Sequence, residues 1–416
     1  MASPAGAGRY DLILRRAHVL DPARGLDDVL DVGIRAGRIA ALGDRLGPEG
    51  ADAPVDLTVA GRYVLPGLID AHAHVECGVA EPGHGVPEAG ADQAGVQAGV
   101  TTVVDAGSSG TGRWRPGTPV RPGPLGTTVL PYLNIGTNAH ERARTPDVHT
   151  LADVDRAAIA KTVAESGGAI AGLKLRLVGP VVEEQGEALA ELAVAVARDC
   201  GLPLMVHIGQ PLEDPARVPG RTEAVTGQLL RTLDAGDIVT HVCTPFPGGL
   251  GALSPALRDT AGEARKRGVR FDVGVGRKQF SHELARSQRA AGFPPDTIST
   301  DMTGVLATIT SLVECMSMLM AVGYEFTEVV AMATGHAATT VGAPQLGTIA
   351  AGGPADLTVA DLVPGTFRHT DGTGAGFGGS QAIRPVLTIK NGQPVEPGPG
   401  PHPWGWLPRS SPQQKG

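Results

Sequence analysis

The sequence has few aromatic residues, few cysteines and few lysines, and each shortage narrows what the protein can be. Aromatic side chains account for 3% of the 416 residues, and the chain has four cysteines. Because no two of them form a CxxC pair, the pattern fits a reducing cytoplasm and predicts no disulfide framework. Only six of the 35 basic residues are lysines, so a lysine inside an apolar run stands out.

Long apolar runs and an excess of positive charge are also missing. No segment of about 20 apolar residues occurs, so the sequence predicts no membrane-spanning helix. The first residues, MASPAGAGRYDLILRRAHVLD, include no long apolar stretch, so we expect no secretion signal and a cytoplasmic protein. The net charge of −8 argues against nucleic acid or an anionic membrane as a partner, because both select a basic face.

Glycine and proline, in contrast, are abundant, with 59 and 34 residues. The two ends of the chain, 1–65 and 347–396, contain short alternating segments separated by turn signals such as Asn391-Gly392. They lack helical periodicity, so we predict that they share one small β domain. The last stretch, 397–416, is rich in proline and glycine and is predicted to be a flexible tail.

The central part, 66–346, alternates short β-branched runs with segments rich in alanine and leucine. This alternation is typical of βα units around a parallel sheet. Eight such units in about 280 residues predict a (β/α)8 barrel. The predicted barrel strands are 68–75, 101–106, 127–135, 172–178, 202–208, 237–243, 270–276 and 297–302.

Ionisable residues fall at or near the ends of five of these predicted strands: His72, His74, Lys174, His207, His241 and Asp301. The two histidines of the first strand are two residues apart, so both imidazoles point to the same face. Barrel active sites form at the carboxyl ends of the strands, and a divalent metal offsets the cost of burying several imidazoles together. A purely structural explanation would need several buried polar groups without a common partner.

The order of these residues resembles the amidohydrolase superfamily of metal-dependent hydrolases. PGLIDAHAHV is followed by the lysine, two histidines and the aspartate on successive strands. The segments GLKLR, PLMVHIGQP, GDIVTHVC and FDVGVG are more specifically similar to the dihydroorotase-like amidohydrolase/deacetylase group. The resemblance implies a barrel that carries a small β-sandwich built from both ends of the chain.

The resemblance also implies a metal site. In such proteins the equivalents of His72, His74 and Asp301 bind the more buried ion, and those of His207 and His241 bind the second. The equivalent of Lys174 is carboxylated by CO2 and bridges both ions. Zinc is the expected metal, with manganese or iron as substitutes, and whether one or two ions bind is left open.

The implied mechanism is hydrolysis by a metal-activated hydroxide. Asp301 would take the proton of the hydroxide and deliver it to the leaving group. Arg176, which shares the face of Lys174, and Arg277, in the loop after the seventh strand, are candidate contacts for an anionic substrate group. Each has an alternative explanation: Arg176 would orient a neighbouring acid, and Arg277 would be a solvated loop charge.

Three functions remain open at the level of sequence. The leading one is hydrolysis of a small N-acyl or O-acyl compound. A cyclic amidase of the dihydroorotase or hydantoinase type is the second, although Glu76 stands where dihydroorotases carry a carboxylate-binding arginine. The third is a catalytically silent barrel used for binding. We expect a small-molecule substrate in the first two cases and leave a homo-oligomer open.

Overall fold

The computed structural model describes residues 10–47, 55–75, 90–115, 120, 122–137, 139, 147–209, 219–251, 254–303, 311–400 and 405–408. The strands in this part of the chain are β1 Leu12–Asp21, β2 Leu26–Arg35, β3 Arg38–Gly43, β4 Val55–Thr58, β5 Tyr63–Pro66, β6 Leu68–Ala73, β7 Val100–Gly110, β8 Thr128–Asn134, β9 Gly172–Arg176, β10 Leu204–His207, β11 Ile238–Thr240, β12 Arg270–Asp272, β13 Leu357–Thr370, β14 Gly376–Lys390 and β15 Gln393–Val395. They form two sheets, of eight and seven strands.

The α-helices of the same residues are α1 Ala91–Ala94, α2 Arg156–Glu165, α3 Pro180–Cys200, α4 Pro219–Thr232, α5 Pro255–Lys266, α6 His282–Ala290, α7 Leu312–Val322, α8 Phe326–Ala333 and α9 Gly335–Thr340. Their ends follow ordinary capping rules. Pro180 opens α3, and Gly201 ends it in a left-handed conformation with φ 64°. No helix among the described residues is both long and apolar enough to cross a membrane.

The eight-stranded sheet joins the two ends of the chain, as the sequence predicts. Its order is β15-β14-β13-β5-β1-β2-β3, and β4 pairs with β1. Strand β13 lies antiparallel to β5, which brings the C-terminal strands directly onto the N-terminal ones. The apolar residues of this eight-stranded sheet, among them Leu14, Val64 and Val359, form a hydrophobic cluster separate from the barrel core.

The seven-stranded sheet is a parallel, nearly closed barrel in the order β6 to β12. It confirms the predicted (β/α)8 architecture for the first seven strands. The second of these runs further than predicted: the sequence predicts a strand at 101–106, but β7 continues to Gly110. This extension carries Ser108 towards the carboxyl end of the barrel.

The eighth barrel strand, predicted at 297–302, appears only as isolated bridges. Asp272 pairs with Thr297, and Ala73 pairs with Met302. Between them, the carboxylate of Asp70 accepts hydrogen bonds from the backbone N–H of Thr300, at 3.0 Å, and from its hydroxyl, at 2.6 Å. A side chain thus takes a donor that a continuous ladder would use, and the segment closes the barrel without being a regular strand.

Part of the predicted tail contacts the body of the protein. Trp406 is 8% exposed and belongs to the main hydrophobic core. Its indole N–H donates to the carbonyl of Gly398 at 2.7 Å. The hydrogen bond explains how a buried tryptophan satisfies its polar group. Residues 401–404 and 409–416 of the tail lie outside the described residues.

Candidate metal centre

The six ionisable residues singled out in the sequence lie at one end of the barrel. His72 is near the end of β6 and His74 just beyond it, while His207 is the last residue of β10. His241 directly follows β11, and Lys174 lies within β9. The remaining member, Asp301, belongs to the closing segment. All lie on the side where parallel strands end, which is the face of a barrel that carries active sites.

The tightest part of the cluster is built from two histidines and the aspartate. Oδ1 of Asp301 lies 3.2 Å from Nε2 of His72 and 3.2 Å from Nε2 of His74. Nε2 of His241 is 4.0 Å from Oδ2 of the same carboxylate. One ligand atom each from His72, His241 and Asp301 lies within 4.8 Å of the others, which is close enough to surround a single ion.

The backbone is strained where two of these side chains are presented. His241 has φ 72° and Asp301 has φ 50°, values that are uncommon outside glycine. Two glycines of the segment after β12 make room for them. A Cβ on Gly274 would lie 2.7 Å from Nδ1 of His241, and one on Gly276 would lie 2.6 Å from Oδ2 of Asp301. Strain of this kind persists at sites where a function needs the geometry.

Three of the imidazoles are held through Nδ1, so their Nε2 atoms face the cluster. Nδ1 of His72 is 3.0 Å from Thr240 Oγ1, and Nδ1 of His74 is 3.1 Å from Ser108 Oγ. Nδ1 of His241 donates to the carbonyl of Gly274 at 2.7 Å. A proton on Nδ1 leaves a lone pair on Nε2, which is the form of histidine that binds metals.

Buried carboxylates orient the two hydroxyl groups that contact His72 and His74. Thr240 donates to Oδ2 of Asp272 at 2.7 Å, and Ser108 donates to Oδ1 of Asp105. Because each hydroxyl gives its proton to a carboxylate, its oxygen is left to accept the Nδ1–H of the imidazole. No sequence pattern indicates a role for these four residues. Their only signal is their position next to the ligand-bearing strands.

Burial dominates the electrostatics of the site. It lowers the pKa of Lys174 to about 7 and that of His241 to about 3. Burial also lowers the pKa of His207 well below its ordinary value. For Asp301 burial acts in the opposite direction, but His72, His74 and His241 together outweigh it and keep the pKa of the carboxyl well below its ordinary value. Burial and Lys174 lower the pKa of His72, but Asp301 and Asp272 outweigh them and raise it. The cluster therefore favours an ionised Asp301 and neutral imidazoles at His74, His207 and His241.

The donor atoms suit a divalent cation. Nε2 of His241 is fully buried, and among the described residues it has no hydrogen-bond partner. An isolated buried lone pair is costly, and a cation supplies the missing partner. Imidazole nitrogens together with a carboxylate oxygen are a donor set that zinc and similar ions accept. These side chains thus fit a metal site.

Comparison with known proteins agrees with this geometry. The sequence profile described as amidohydrolase family matches residues 63–395, most of the chain. This chain belongs to the amidohydrolase family. As a family member it is a hydrolase of C–N or acyl bonds, so the prediction of an enzyme is confirmed and a catalytically silent barrel is not supported.

Similar proteins cover most of this amidohydrolase. A deacetylase of Agrobacterium fabrum is 30% identical over 344 residues, which are 81% of this chain and 79% of the relative. A deacetylase of Enterococcus faecalis is 27% identical over 92% of this chain and 98% of its own length. Among solved structures, a dihydroorotase superposes with a TM-score of 0.78 at 26% identity, over 92% of this chain and 97% of its own. An adenine deaminase superposes with a TM-score of 0.76 at 25% identity, over 93% and 100%.

Lys174 is buried in the barrel against His72. Its Nζ lies 2.9 Å from Nε2 of that histidine and 3.3 Å from Sδ of Met205. Gly107 provides the space for the stem: a Cβ there would lie 2.7 Å from Cβ of Lys174. A lysine in this position has no carboxylate within hydrogen-bond distance among the described contacts, which is unusual for a buried amine.

His207 lies beside His241 but makes a different contact from the other histidines. The two ring centroids are 4.0 Å apart, and the ring planes are inclined at 62°. Nε2 of His207 is 3.2 Å from Nε2 of Gln279, a residue that the sequence analysis did not single out. His207 is therefore adjacent to the cluster, with its Nε2 already occupied by a side-chain amide.

The two arginines predicted as substrate contacts differ in their surroundings. Arg176 donates from Nη1 to Oδ1 of the buried Asp147 at 3.2 Å, as expected for the alternative of orienting a neighbouring acid. Arg277 is exposed in the segment after β12. Glu76, the residue that weakens the dihydroorotase alternative, lies outside the described residues.

Proposed function

We propose that this amidohydrolase is a metal-dependent deacylase, which removes an acetyl-like group from a small amide or ester. The observation that carries the proposal is the convergence of Nε2 of His72, Nε2 of His74 and Oδ1 of Asp301, each nitrogen being 3.2 Å from that oxygen. The named deacetylases in two bacteria, similar over 79% and 98% of their lengths, support an acyl substrate.

The donor set defines which residues would hold the metal. His72, His74 and Asp301 would bind one zinc ion, and His207 and His241 a second, with carboxylated Lys174 between them. Manganese or iron are chemically acceptable substitutes. A divalent ion bound there lowers the pKa of a coordinated water and polarises the acyl carbonyl.

The surroundings of Lys174 support its carboxylation. Only an uncharged amine attacks CO2, and burial lowers the pKa of Lys174 to about 7. In the reaction Nζ forms a bond to the carbon of CO2, the π electrons of one C=O move to oxygen, and Nζ releases a proton to water. The product is an anion, which removes the repulsion between a buried ammonium group and cations.

Asp301 is suited to move the proton during hydrolysis. Its Oδ1 faces His72 and His74, which leaves Oδ2 for the attacking water. Because the pKa of this carboxyl lies well below its ordinary value, it is ionised and can accept the proton. As the acyl bond breaks, Oδ2 passes the proton to the leaving nitrogen or oxygen.

We propose Arg277 and Arg176 as substrate contacts and favour Arg277. Arg277 is exposed and directly follows Gly276, which adjoins Asp301, whereas Arg176 already bonds Asp147. We expect Arg277→Gln to raise KM for substrates with a carboxylate and to leave KM for uncharged ones unchanged. Arg286→Gln, an exposed arginine on α6, is the matched control.

A cyclic amidase is the second candidate, favoured by one observation. The dihydroorotase structure superposes over 92% of this chain at 26% identity. A cyclic amidase would open a ring and give one product, whereas a deacylase gives two.

The cysteines Cys200, Cys243 and Cys315 are all free, which supports our further proposal that the enzyme works in the reducing cytoplasm.

The experiment that tests the function is a product analysis with zinc-reconstituted enzyme. The panel contains N-acetyl amino acids, acetylated hydroxy acids and cyclic amides. Acetate release supports the deacylase, and a single ring-opened acid refutes it in favour of the cyclic amidase.

Asp301→Asn should lower kcat by about 100- to 10,000-fold while metal is still bound. Turnover near that of the wild type would refute the proton-transfer role.

A further inference from the structure

Gln279 lies between His207 and the loop that follows β11. It is 7% exposed and sits in the segment between β12 and α6. Its Oε1 lies 2.5 Å from Oγ1 of Thr244, and its Nε2 lies 3.2 Å from Nε2 of His207. The hydroxyl of Thr244 also accepts from the backbone N–H of Phe246 at 3.4 Å. The side chain of Gln279 is therefore held at both ends of its amide.

This contact makes His207 the exception among the four histidines. His72, His74 and His241 are all held through Nδ1 and turn Nε2 to the cluster. Within the described residues, the hydrogen bond of the His207 ring is made through Nε2. Nδ1 is consequently the nitrogen that His207 can offer to a cation, and its protonation state depends on what Gln279 presents.

A primary amide can present either its oxygen or its NH2 group, since the two differ little in shape. If NH2 faces His207, it takes the lone pair of Nε2, and the proton of the neutral ring is on Nδ1. If the oxygen faces His207, Nε2 keeps its proton and Nδ1 has the lone pair. Thr244 suits both cases, because its hydroxyl can donate to the oxygen or accept from the NH2 group.

We propose that Gln279 is a positioning residue for the second metal ion. With its oxygen towards His207, it would hold the proton on Nε2 and leave the lone pair of Nδ1 available to the ion. Outer hydrogen bonds of this kind set the tautomer and orientation of metal-binding histidines. The inference rests on the proposed function, because it needs the metal site of a hydrolase, and it adds a residue that controls occupancy of the second position.

The loop that carries Gln279 packs against the eight-stranded sheet and forms hydrogen bonds with it. The backbone N–H of Gly372, in the hairpin between β13 and β14, donates to the carbonyl of Phe280 at 2.8 Å. Oδ2 of Asp371 accepts from the backbone N–H of His282 at 3.0 Å and lies 2.7 Å from its Nδ1. These contacts on the residues after Gln279 limit the movement of its backbone, so that its amide stays within reach of His207.

Metal titration of wild-type enzyme and two variants tests this role. Zinc content per chain is measured after dialysis, and the affinity for each ion is measured by competition with a chelator. Gln279→Leu should keep the tighter ion and weaken the second by about 10- to 100-fold. Gln279→Glu should retain the second ion, because a carboxylate accepts from both the Thr244 hydroxyl and the Nε2–H of His207. Gln228→Leu is the control, because this half-buried glutamine bonds Glu191 instead of a histidine.

The possible results separate this inference from the proposed function. Equal affinity for the second ion in all proteins overturns the role of Gln279. The role is also overturned if Gln279→Glu loses as much affinity for the second ion as Gln279→Leu does. It is overturned as well if Gln279→Leu binds the second ion more tightly than the wild type. A wild-type enzyme that binds one ion at every zinc concentration overturns it as well. A wild-type enzyme that binds no zinc refutes the metal-dependent function itself.

Discussion

Oγ1 of Thr240 lies 3.0 Å from Nδ1 of His72 and joins that imidazole to the carboxylate of Asp272. Asp272 also accepts from the hydroxyls of Thr297, at 2.7 Å, and Ser299, at 2.6 Å. Burial raises the pKa of Asp272, but His72 and the hydroxyl donors outweigh this effect and lower it. A fully buried, ionised carboxylate thus orients the histidine through one hydroxyl group.

Thr240→Val tests that relationship, because valine keeps the shape of threonine and removes the hydroxyl. We expect metal affinity to fall by about 10- to 100-fold, as when an outer hydrogen bond to a ligand is lost. Chelator competition with zinc measures the change. Thr334→Val is the control, since it removes a buried hydroxyl that bonds only the carbonyl of Val330 among the described contacts. An unchanged zinc affinity in Thr240→Val would show that Thr240 does not orient His72.

Gly107→Ala should disturb Lys174 through a direct clash. The added Cβ would lie 2.7 Å from Cβ of Lys174, and the backbone has φ +79°. Displacing a reacting group by about 1 Å can cost roughly 100-fold in rate, so we expect a loss of that order in kcat/KM. Gly61→Ala has φ +80° with no atom within 4 Å of the new Cβ. It shares the backbone strain without the clash, and equal losses in both variants would contradict this explanation.

Lys174→Ala should abolish most of the activity and respond to added acids. Losing a bridging ligand should cost more than the roughly 10- to 100-fold typical of an outer hydrogen bond. Acetate or propionate can enter the space left by the side chain and supply a carboxylate, so partial recovery is expected. Lys174→Met fills that space and should not recover. Full activity of Lys174→Ala without added acid would end the bridging role.

His369 gives a prediction about acid stability. It is 6% exposed, and burial lowers its pKa to about 4, whereas an unfolded histidine has a pKa of about 6.5. The unfolded chain therefore binds the proton first, and His369 destabilises the fold as pH falls from about 6.5 to about 4. At about 1.4 kcal/mol per pKa unit, the loss is at most about 3 kcal/mol.

Denaturant unfolding at pH 6.5 and pH 4 measures this effect. His369→Leu should lose less free energy of unfolding between the two values than the wild type. The exposed His336→Leu should behave like the wild type. If His369→Leu and the wild type lose the same free energy, burial of His369 does not contribute to acid sensitivity.

The positions of the metal-binding candidates could be predicted because they follow from strand order and alternation. His72 and His74 are two residues apart, and the other candidates lie on or directly after later strands, so a barrel brings them together whatever the loops do. The same reasoning predicted a regular strand at 297–302. It failed there because Asp70 takes the donors of Thr300 and because Asp301 has φ 50°, which is not a strand conformation.

The residues that orient the ligands could not be predicted from the sequence. Thr240 is one of many threonines in β runs, and only the register of β11 against β12 places its hydroxyl against Asp272. Gln279 lies in a segment without periodicity, and its contact with His207 depends on how the loop turns back over the barrel. Such contacts arise from tertiary structure, which leaves no local pattern.

Acetate release by metal-free and zinc-reconstituted protein tests the central claim most directly. The substrate is the N-acetyl compound that the product screen identifies, and bound zinc is measured in the same samples. The proposed function predicts no release from metal-free protein and a rate that rises with the zinc bound at the proposed ligands, which are His72, His74, His207, His241 and Asp301. Equal rates with and without zinc would contradict it, and so would fully loaded protein that releases no acetate from any acylated substrate.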